Sequence, residues 1–270
     1  MLHSDTNDIH SENDNGGDAD EEAPDNGSAI RVEAGRAVAR LRALSKRRPC
    51  VVLLGDSNAG KTTLANSLLQ EAALPTSVMS NTRRPVLLRN GPTISVTAVT
   101  ADGLRIQAAS AADVQNKAMA YVEVLLPDPS LGVFDLLDTP GSAGAEEVEH
   151  ILGRLTPHIP VWCTTATQAW KESERRRWMQ QAPRFRRNGI LAVTRLDLIA
   201  DEHLIRRLFT RLEGAAGPYF HAIVGARDVA GRSNDIKAVI QALALNLDER
   251  RRQTIGRLCD RILNYSDQQN

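Results

Sequence analysis

Apolar positions along this chain change period several times, and each change marks an element. Ile30, Ala34, Val38 and Leu41 recur at helical spacing through 29–46, with Leu44 one turn on. Arg31, Arg36, Arg40 and Arg42 fall mostly off that stripe, so the pattern predicts a basic amphipathic helix, ended by Lys46-Arg47-Arg48-Pro49. Residues 50–54 are a continuous apolar run, the mark of a strand buried on both faces. A helix is predicted over 61–72. Runs at 85–89 and 93–100 read as adjacent strands joined across the turn signal Asn90-Gly91-Pro92. Further strands are predicted at 121–126, 133–137, 160–163, 189–193 and 219–224, with helices near 145–156, 169–181 and 201–213. One long, interrupted helix over 234–264 closes the chain. Strands alternating with helices predict an α/β fold, a three-layer sandwich around a mostly parallel sheet.

Composition adds little until the charges are placed. Among 270 residues, 42% are apolar and 24% charged, which excludes whole-chain disorder and fibrous classes. No apolar run approaches the ~18–20 residues of a membrane span, and no signal peptide is visible. Cys50, Cys163 and Cys259 are odd in number and far apart, which predicts reduced, mostly buried thiols in a cytoplasmic protein. The net charge is zero, from 33 basic and 33 acidic residues, yet residues 1–28 hold nine of the acidic ones and no Lys or Arg. That stretch lacks the apolar surface to offset its ordering entropy and predicts a disordered tail, either solubilising or regulatory. The rest of the chain carries the balancing +9, so overall neutrality does not exclude an anionic partner.

The strongest chemical signal is Gly55-Asp56-Ser57-Asn58-Ala59-Gly60-Lys61-Thr62, followed by Thr63. It has the phosphate-loop spacing, after a buried strand and at the start of a helix. Its glycines allow a tight turn whose N–H groups surround phosphate oxygens, while the helix N-terminus adds a favourable dipole. Lys61 would reach the β- and γ-phosphates, and Thr62 would ligate Mg²⁺. Asp138-Thr139-Pro140-Gly141 follows a second buried strand; Asp138 fits the metal side and Gly141 the γ-phosphate. Thr194-Arg195-Leu196-Asp197 follows a third. Asp197 there could accept from guanine N1–H and the 2-amino group, donors that adenine lacks; the bland alternative is a helix cap. Ala226, after the run 219–224, would offer its N–H to guanine O6.

With these motifs in order, the chain resembles a P-loop GTPase, and one more segment narrows the likeness. Leu74-Pro75-Thr76 through Asn81-Thr82-Arg83-Arg84-Pro85 is similar to the switch I region of the dynamin family. Thr194-Arg195-Leu196-Asp197-Leu198-Ile199 resembles that family's Thr-Lys-Leu-Asp-Leu segment. The 55 residues between Thr82 and Asp138 also match an insertion found in dynamin-like domains. The resemblance implies that Thr82 serves Mg²⁺, the γ-phosphate and the attacking water. It implies GTP and GDP as ligands, Mg²⁺ as cofactor and hydrolysis as the activity. Departures bear on the rate. Ser57 and Asn58 stand where the family has a Gln-Ser pair that helps place the water, Arg195 replaces a Lys, and Ser142 follows Gly141 where Ras-like proteins keep a Gln. Slow intrinsic hydrolysis, or dependence on a partner, is the expectation.

The resulting division is an acidic tail (1–28), a basic helix (29–48), a nucleotide domain (49–232) and a C-terminal helix (233–270). The resemblance implies that the two flanking helices pair, with Leu243, Leu247, Ile255, Leu258 and Ile262 facing the contact. At 270 residues the expectation is a nucleotide domain with its helices and without the family's stalk. Trp162 and Trp170 read as core rather than partner surface. Lys171 to Arg187, with seven basic and two acidic residues, reads as a solvated helix face or a patch for anionic lipid. Three functions follow: a GTP-hydrolysing regulatory or mechanochemical enzyme, a non-catalytic GTP switch, and a membrane-surface adaptor. The partners expected are a second copy across the nucleotide face, another protein or an anionic membrane surface to which the chain attaches peripherally. Nucleic acid is not expected.

Overall fold

The computed structural model describes residues 26–69, 84–108, 119–140, 153, 155–226 and 236–268. The stretch 1–25, the segment carrying Thr82, and Gly141 and Ser142 lie outside the described residues, as does most of the helix expected at 145–156.

Helix α1 (Asn26–Ser45) leads into β1 (Cys50–Gly55), whose residues from Cys50 to Leu54 are all buried. The helix α2 (Lys61–Leu68) follows, then β2 (Val86–Asn90), β3 (Ser95–Thr100), β4 (Arg105–Ala108), β5 (Met119–Leu126), β6 (Asp135–Asp138) and β7 (Ile159–Thr165). The helices α3 (Glu172–Gln180) and α4 (Pro183–Arg186), then β8 (Ile190–Thr194), α5 (Glu202–Ala216), β9 (Ala222–Gly225) and α6 (Ile236–Gln268) complete the order. The strands form one sheet in the order β4-β3-β5-β2-β6-β1-β7-β8-β9. From β6 to β9 every pairing is parallel, whereas β2 runs antiparallel to β6 and β3 antiparallel to both β4 and β5.

Helices cover both faces. On one face α2 (Leu64, Ala65, Leu68) and the start of α6 (Ile236, Ile240, Ala244) pack on Val51 and Leu53. On the other, α3 and α5 bury Trp178, Ile205, Phe209 and Leu212 against Val52, Leu54, Trp162 and Leu191. The i, i+4, i+7 spacing of the α5 residues is the reason that sequence folds there, and the Asp201 carboxylate caps it by accepting from His203 N–H at 2.8 Å. Trp170 is buried against Phe220, their ring centroids 5.0 Å apart, so it belongs to the core as expected.

Two expectations give way, and one strand is added to them. The runs 85–89 and 93–100 are not neighbours, because β5 lies between β2 and β3. The Asn90-Gly91-Pro92 turn crosses the end of β5 instead, with Gly91 N–H donating to Leu126 C=O at 2.9 Å. Strand β4 carried no sequence signal; its Arg-Ile-Gln-Ala is largely exposed on both faces, as suits a sheet edge. The C-terminal helix runs unbroken for 33 residues. Its polar stretch from Asp248 to Gln253 looks like a break, yet holds good helix formers with Asp248 paired to Arg251 and, at 2.6 Å, to Arg252.

Continuity lets α6 serve two cores. Its first turns lie on the sheet, and its far half packs Ile255 and Cys259 against Val38 of α1, with Leu41 and Ile262 alongside. Arg251 also donates to the Arg47 carbonyl, and Arg48 donates to Gly132 C=O at 2.9 Å, which fixes the end of α1 on the body of the protein.

Candidate functional site

The loop Gly55–Thr62 leaves the end of β1 and enters α2. Its path depends on Gly55 (φ +135°) and Gly60 (φ +82°). A Cβ on Gly55 would lie 2.4 Å from the Cys163 carbonyl oxygen of β7, and one on Gly60 would lie 3.2 Å from Thr194 Cβ. Ser57 and Asn58 form the exposed tip, Asn58 at φ +62°, and Ala59 anchors the loop in the core. Lys61 is buried. Its ammonium donates to the carbonyls of Gly55 at 3.0 Å and Asp56 at 2.8 Å, closing a ring over the start of the loop. Burial pushes its pKa down, opposed by the nearby negative groups Asp138 and Asp56.

Asp138 ends β6, in register with Leu53 of β1, one pleat below the loop. Thr62 Oγ1 donates to Asp138 Oδ2 at 2.8 Å, while Asp138 Oδ1 is buried with no hydrogen-bond partner among the described residues. Burial raises the Asp138 carboxyl to about 6, against the opposing effects of the Thr62 hydroxyl and Lys61. Beside it, Thr139 Oγ1 donates to Leu53 C=O at 2.6 Å and locks the strand end. A hard hydroxyl and a carboxylate, one of its oxygens uncommitted, fit Mg²⁺, which takes one or two protein oxygens and completes its shell with water and phosphate. No group of three or more His, Cys, Asp or Glu side chains that could hold a metal gathers among the described residues.

The base side stands on β8. Thr194 is buried, and its hydroxyl lies 2.8 Å from Ala59 C=O and 3.2 Å from Thr164 C=O, so it ties the phosphate loop to β7 and β8. Arg195 takes the left-handed conformation (φ +54°), with Leu196 turned into the core and Asp197 exposed in a single helical turn. Ala226 needs correction. Its N–H, expected to meet guanine O6, donates to Val193 C=O at 2.9 Å and extends the β8–β9 ladder, so that donor is already used.

The structure thus gathers Gly55 to Thr63, Asp138 and Thr194 to Asp197 at the carboxyl ends of β6, β1 and β8, where open α/β sheets bind ligands. Thr82 and Gly141 lie outside the described residues. Sequence reasoning missed three residues. Arg177, from what reads as a solvated run, pairs with Asp56 of the loop. Glu174 is buried and accepts from Thr164 Oγ1 at 3.0 Å and Lys171 N–H at 2.9 Å. A Glu in the first turn of a helix is a legible capping signal, but nothing in the sequence marks Arg177 or Thr164. Cys163, beside the loop, is no nucleophile: burial lifts its thiol to about 12.

Known proteins agree with this architecture. The profile of the dynamin family matches residues 51–194. Among curated proteins, none matches this sequence. Two structures of an oligomerised bacterial dynamin pair, described as a mechanism for the long-range sensing and tethering of membranes, share the fold. One has TM-score 0.57 at 16% identity over 87% of this chain and 43% of that one. The other has TM-score 0.57 at 16% identity over 86% and 42%. Era from Aquifex aeolicus bound to GDP and AlF4⁻ aligns over 72% of this chain and 56% of that one, at 17% identity and TM-score 0.42. This chain therefore spans less than half the length of the bacterial dynamin chains it resembles. Because the matched stretch takes in more than half of the chain, from β1 to the end of β8, this chain belongs to the dynamin family, and its sheet is that of a dynamin-like P-loop GTPase domain.

Proposed function

We propose that this protein binds GTP at the 55–62 loop with Mg²⁺ and hydrolyses it to GDP and phosphate, as a dynamin-like regulatory or mechanochemical GTPase. The observation that carries the proposal is the Thr62–Asp138 contact of 2.8 Å, with Asp138 Oδ1 left uncommitted, directly beneath a loop that holds Lys61. Loop N–H groups and the start of α2 would receive the phosphates. Lys61 would exchange the Gly55 and Asp56 carbonyls for phosphate oxygens. Thr62, Asp138 and Thr82 would hold Mg²⁺, which when bound neutralises charge on the β- and γ-phosphates. Asp197 would read guanine, Arg195 would stack on the base, and Gly141 would donate to the γ-phosphate. Water attacks the γ-phosphorus as its bond to the bridging oxygen breaks, with Ser57 and Thr82 orienting that water.

The exposed Ser57 and Asn58 tip supports slow turnover until a partner, a second copy included, covers the nucleotide face. A second reading is nucleotide-controlled attachment to an anionic membrane surface. It rests on the exposed basic residues Arg175 and Arg176 of α3 and Lys171 just before it, and on the membrane tethering described for the bacterial dynamin pair. No helix among the described residues is long and apolar enough to cross a membrane.

Competition against a fluorescent GTP analogue tests the main reading. GDP should displace it and ADP should not, while Lys61→Ala should weaken binding by about 100-fold or more. Equal displacement by ADP would sink the guanine assignment. Phosphate release per molecule that rises with protein concentration would support activation by self-association, and a rate at background throughout would leave a GTP switch.

A further inference from the structure

Arg175, Arg176 and Arg177 follow one another on α3 but do different things. Arg175 and Arg176 pair with Glu172 on their own helix, at 3.4 and 3.2 Å. Arg177 turns the other way and pairs with Asp56, 121 residues earlier and the second residue of the phosphate loop. Two further contacts fix its guanidinium: Cζ lies 5.5 Å from the ring centroid of Trp162, and Nε donates to Ser173 C=O at 3.4 Å. Trp162 is itself buried on β7, in register with Leu54 of β1. A long side chain fixed at three points loses less on pairing than a free surface arginine, which ordinarily contributes little.

The same helix grips the other end of the loop. Glu174 accepts from Thr164 Oγ1, the Thr164 carbonyl lies 3.2 Å from Thr194 Oγ1, and that hydroxyl reaches the Ala59 carbonyl. Helix α3 therefore holds Asp56 directly and Ala59 through two threonines, on either side of the Ser57–Asn58 tip. Electrostatics gives the first contact a purpose. A carboxylate in a phosphate loop repels a polyanion, and at this half-exposed depth the repulsion is only partly screened. The peptide carbonyl of Asp56 is one of the two that Lys61 holds, so the orientation of this residue also sets where the ammonium sits.

We propose that Arg177 is a positioning residue of the phosphate loop, neutralising and orienting Asp56 so that a nucleoside polyphosphate can bind. This rests on the GTP-binding reading given above. The site it serves takes the phosphates, so its effect is on affinity and is indifferent to the base.

Titration of a fluorescent GDP analogue into the full chain tests it, at a temperature well below the melting point of every variant. Arg177→Gln should weaken binding by about 5- to 20-fold, and Arg177→Lys, which keeps the charge, by less. Adding Asp56→Asn to Arg177→Gln should recover affinity to within about threefold of the wild type, because the unneutralised carboxylate is gone. That recovery separates the proposal from a merely structural role, in which the second substitution adds damage. Unchanged affinity in Arg177→Gln, or a double variant as weak as or weaker than the single, overturns it while wild-type binding upholds the nucleotide site. Failure of the wild type to bind overturns both.

Discussion

Strand β6 carries two buried aspartates, three residues apart and therefore on opposite faces of the sheet, and they have opposite meanings. Asp135 lies at the strand's start, in register with Cys50. Its Oδ2 accepts from Arg89 Nε at 2.9 Å, and Arg89 also pairs with Glu123 at 3.0 Å, which in turn meets Arg105. Asp138, at the strand's end, has no guanidinium against it among the described residues: it accepts from the neutral Thr62 hydroxyl at 2.8 Å and interacts with the Thr139 backbone N–H, with Lys61 as a nearby charge. Burial raises the pKa of both. A buried carboxylate with a guanidinium against it is a structural bridge between strands. One offered only neutral donors is poorly compensated by the protein alone, and under the proposed function a bound ligand supplies the missing charge. Burial and a shifted pKa do not tell the two apart; the chemistry of the nearest partner does.

Neutralising each acid should pull binding and stability apart. The largest effect is expected for Asp138→Asn. It should weaken Mg²⁺-dependent GTP binding by about 10- to 100-fold, while the nucleotide-free protein melts no lower than the wild type, since an under-compensated buried charge has been removed. A melting point several degrees below wild type would make Asp138 a structural acid like its neighbour. Next comes Asp135→Asn, which strips Arg89 of its main partner. Breaking a buried pair costs ~3–5 kcal/mol. The Arg89 side chain is 40% exposed, so about 1–3 kcal/mol is expected here from denaturant unfolding, with GDP affinity within about twofold of wild type. A large loss of affinity with unchanged stability would put Asp135 in the nucleotide site and erase the contrast.

The sequence shows these two acids unequally, for a physical reason. Asp138 was legible because its chemistry is local: a strand end followed by Thr-Pro-Gly, in order with the phosphate loop. Asp135 was not, because its partner Arg89 comes from a strand whose antiparallel pairing to β6 no local pattern predicts. The same division holds elsewhere. Lys61, Thr62 and Thr194 declare themselves by spacing, while Arg177 depends on α3 packing across β7, and in sequence it is one arginine of three. Continuous apolar runs located β1, β7 and β8 within a residue or two. The order of β2, β5 and β3 failed because the Asn-Gly-Pro signal marks a turn without saying what it crosses. Ala226 failed more narrowly, since a residue at a strand end can lend its N–H to the ladder rather than to a ligand, and only the register decides.

The smallest expected effect is in the pH dependence, and it separates the two ends of the strand pair β1–β6. At the Asp135 end, His158 Nδ1 accepts from Cys50 N–H at 3.2 Å, and burial, reinforced by Arg251, lowers its pKa below 6.5. A base whose folded pKa is depressed is held neutral. The unfolded chain therefore binds the extra proton, and stability contributed by neutral His158 is lost as pH falls from about 6.5 through the lower folded value. Protonation would also set an imidazolium N–H against the Cys50 N–H. Asp138 acts in the opposite sense: with its carboxyl raised to about 6, the folded state holds a proton that the unfolded chain has released, so acidification through that value stabilises. One proton changes stability by at most about 1.4 kcal/mol per pH unit. Melting nucleotide-free protein between pH 7.5 and 5 should therefore show a shallow net slope. In His158→Gln the acid-side loss should disappear, and in Asp138→Asn it should steepen below pH 6. Parallel profiles for the wild type and both variants would mean that neither His158 nor Asp138 titrates as its surroundings require, and that the buried Asp138 carboxyl stays charged despite lacking a guanidinium.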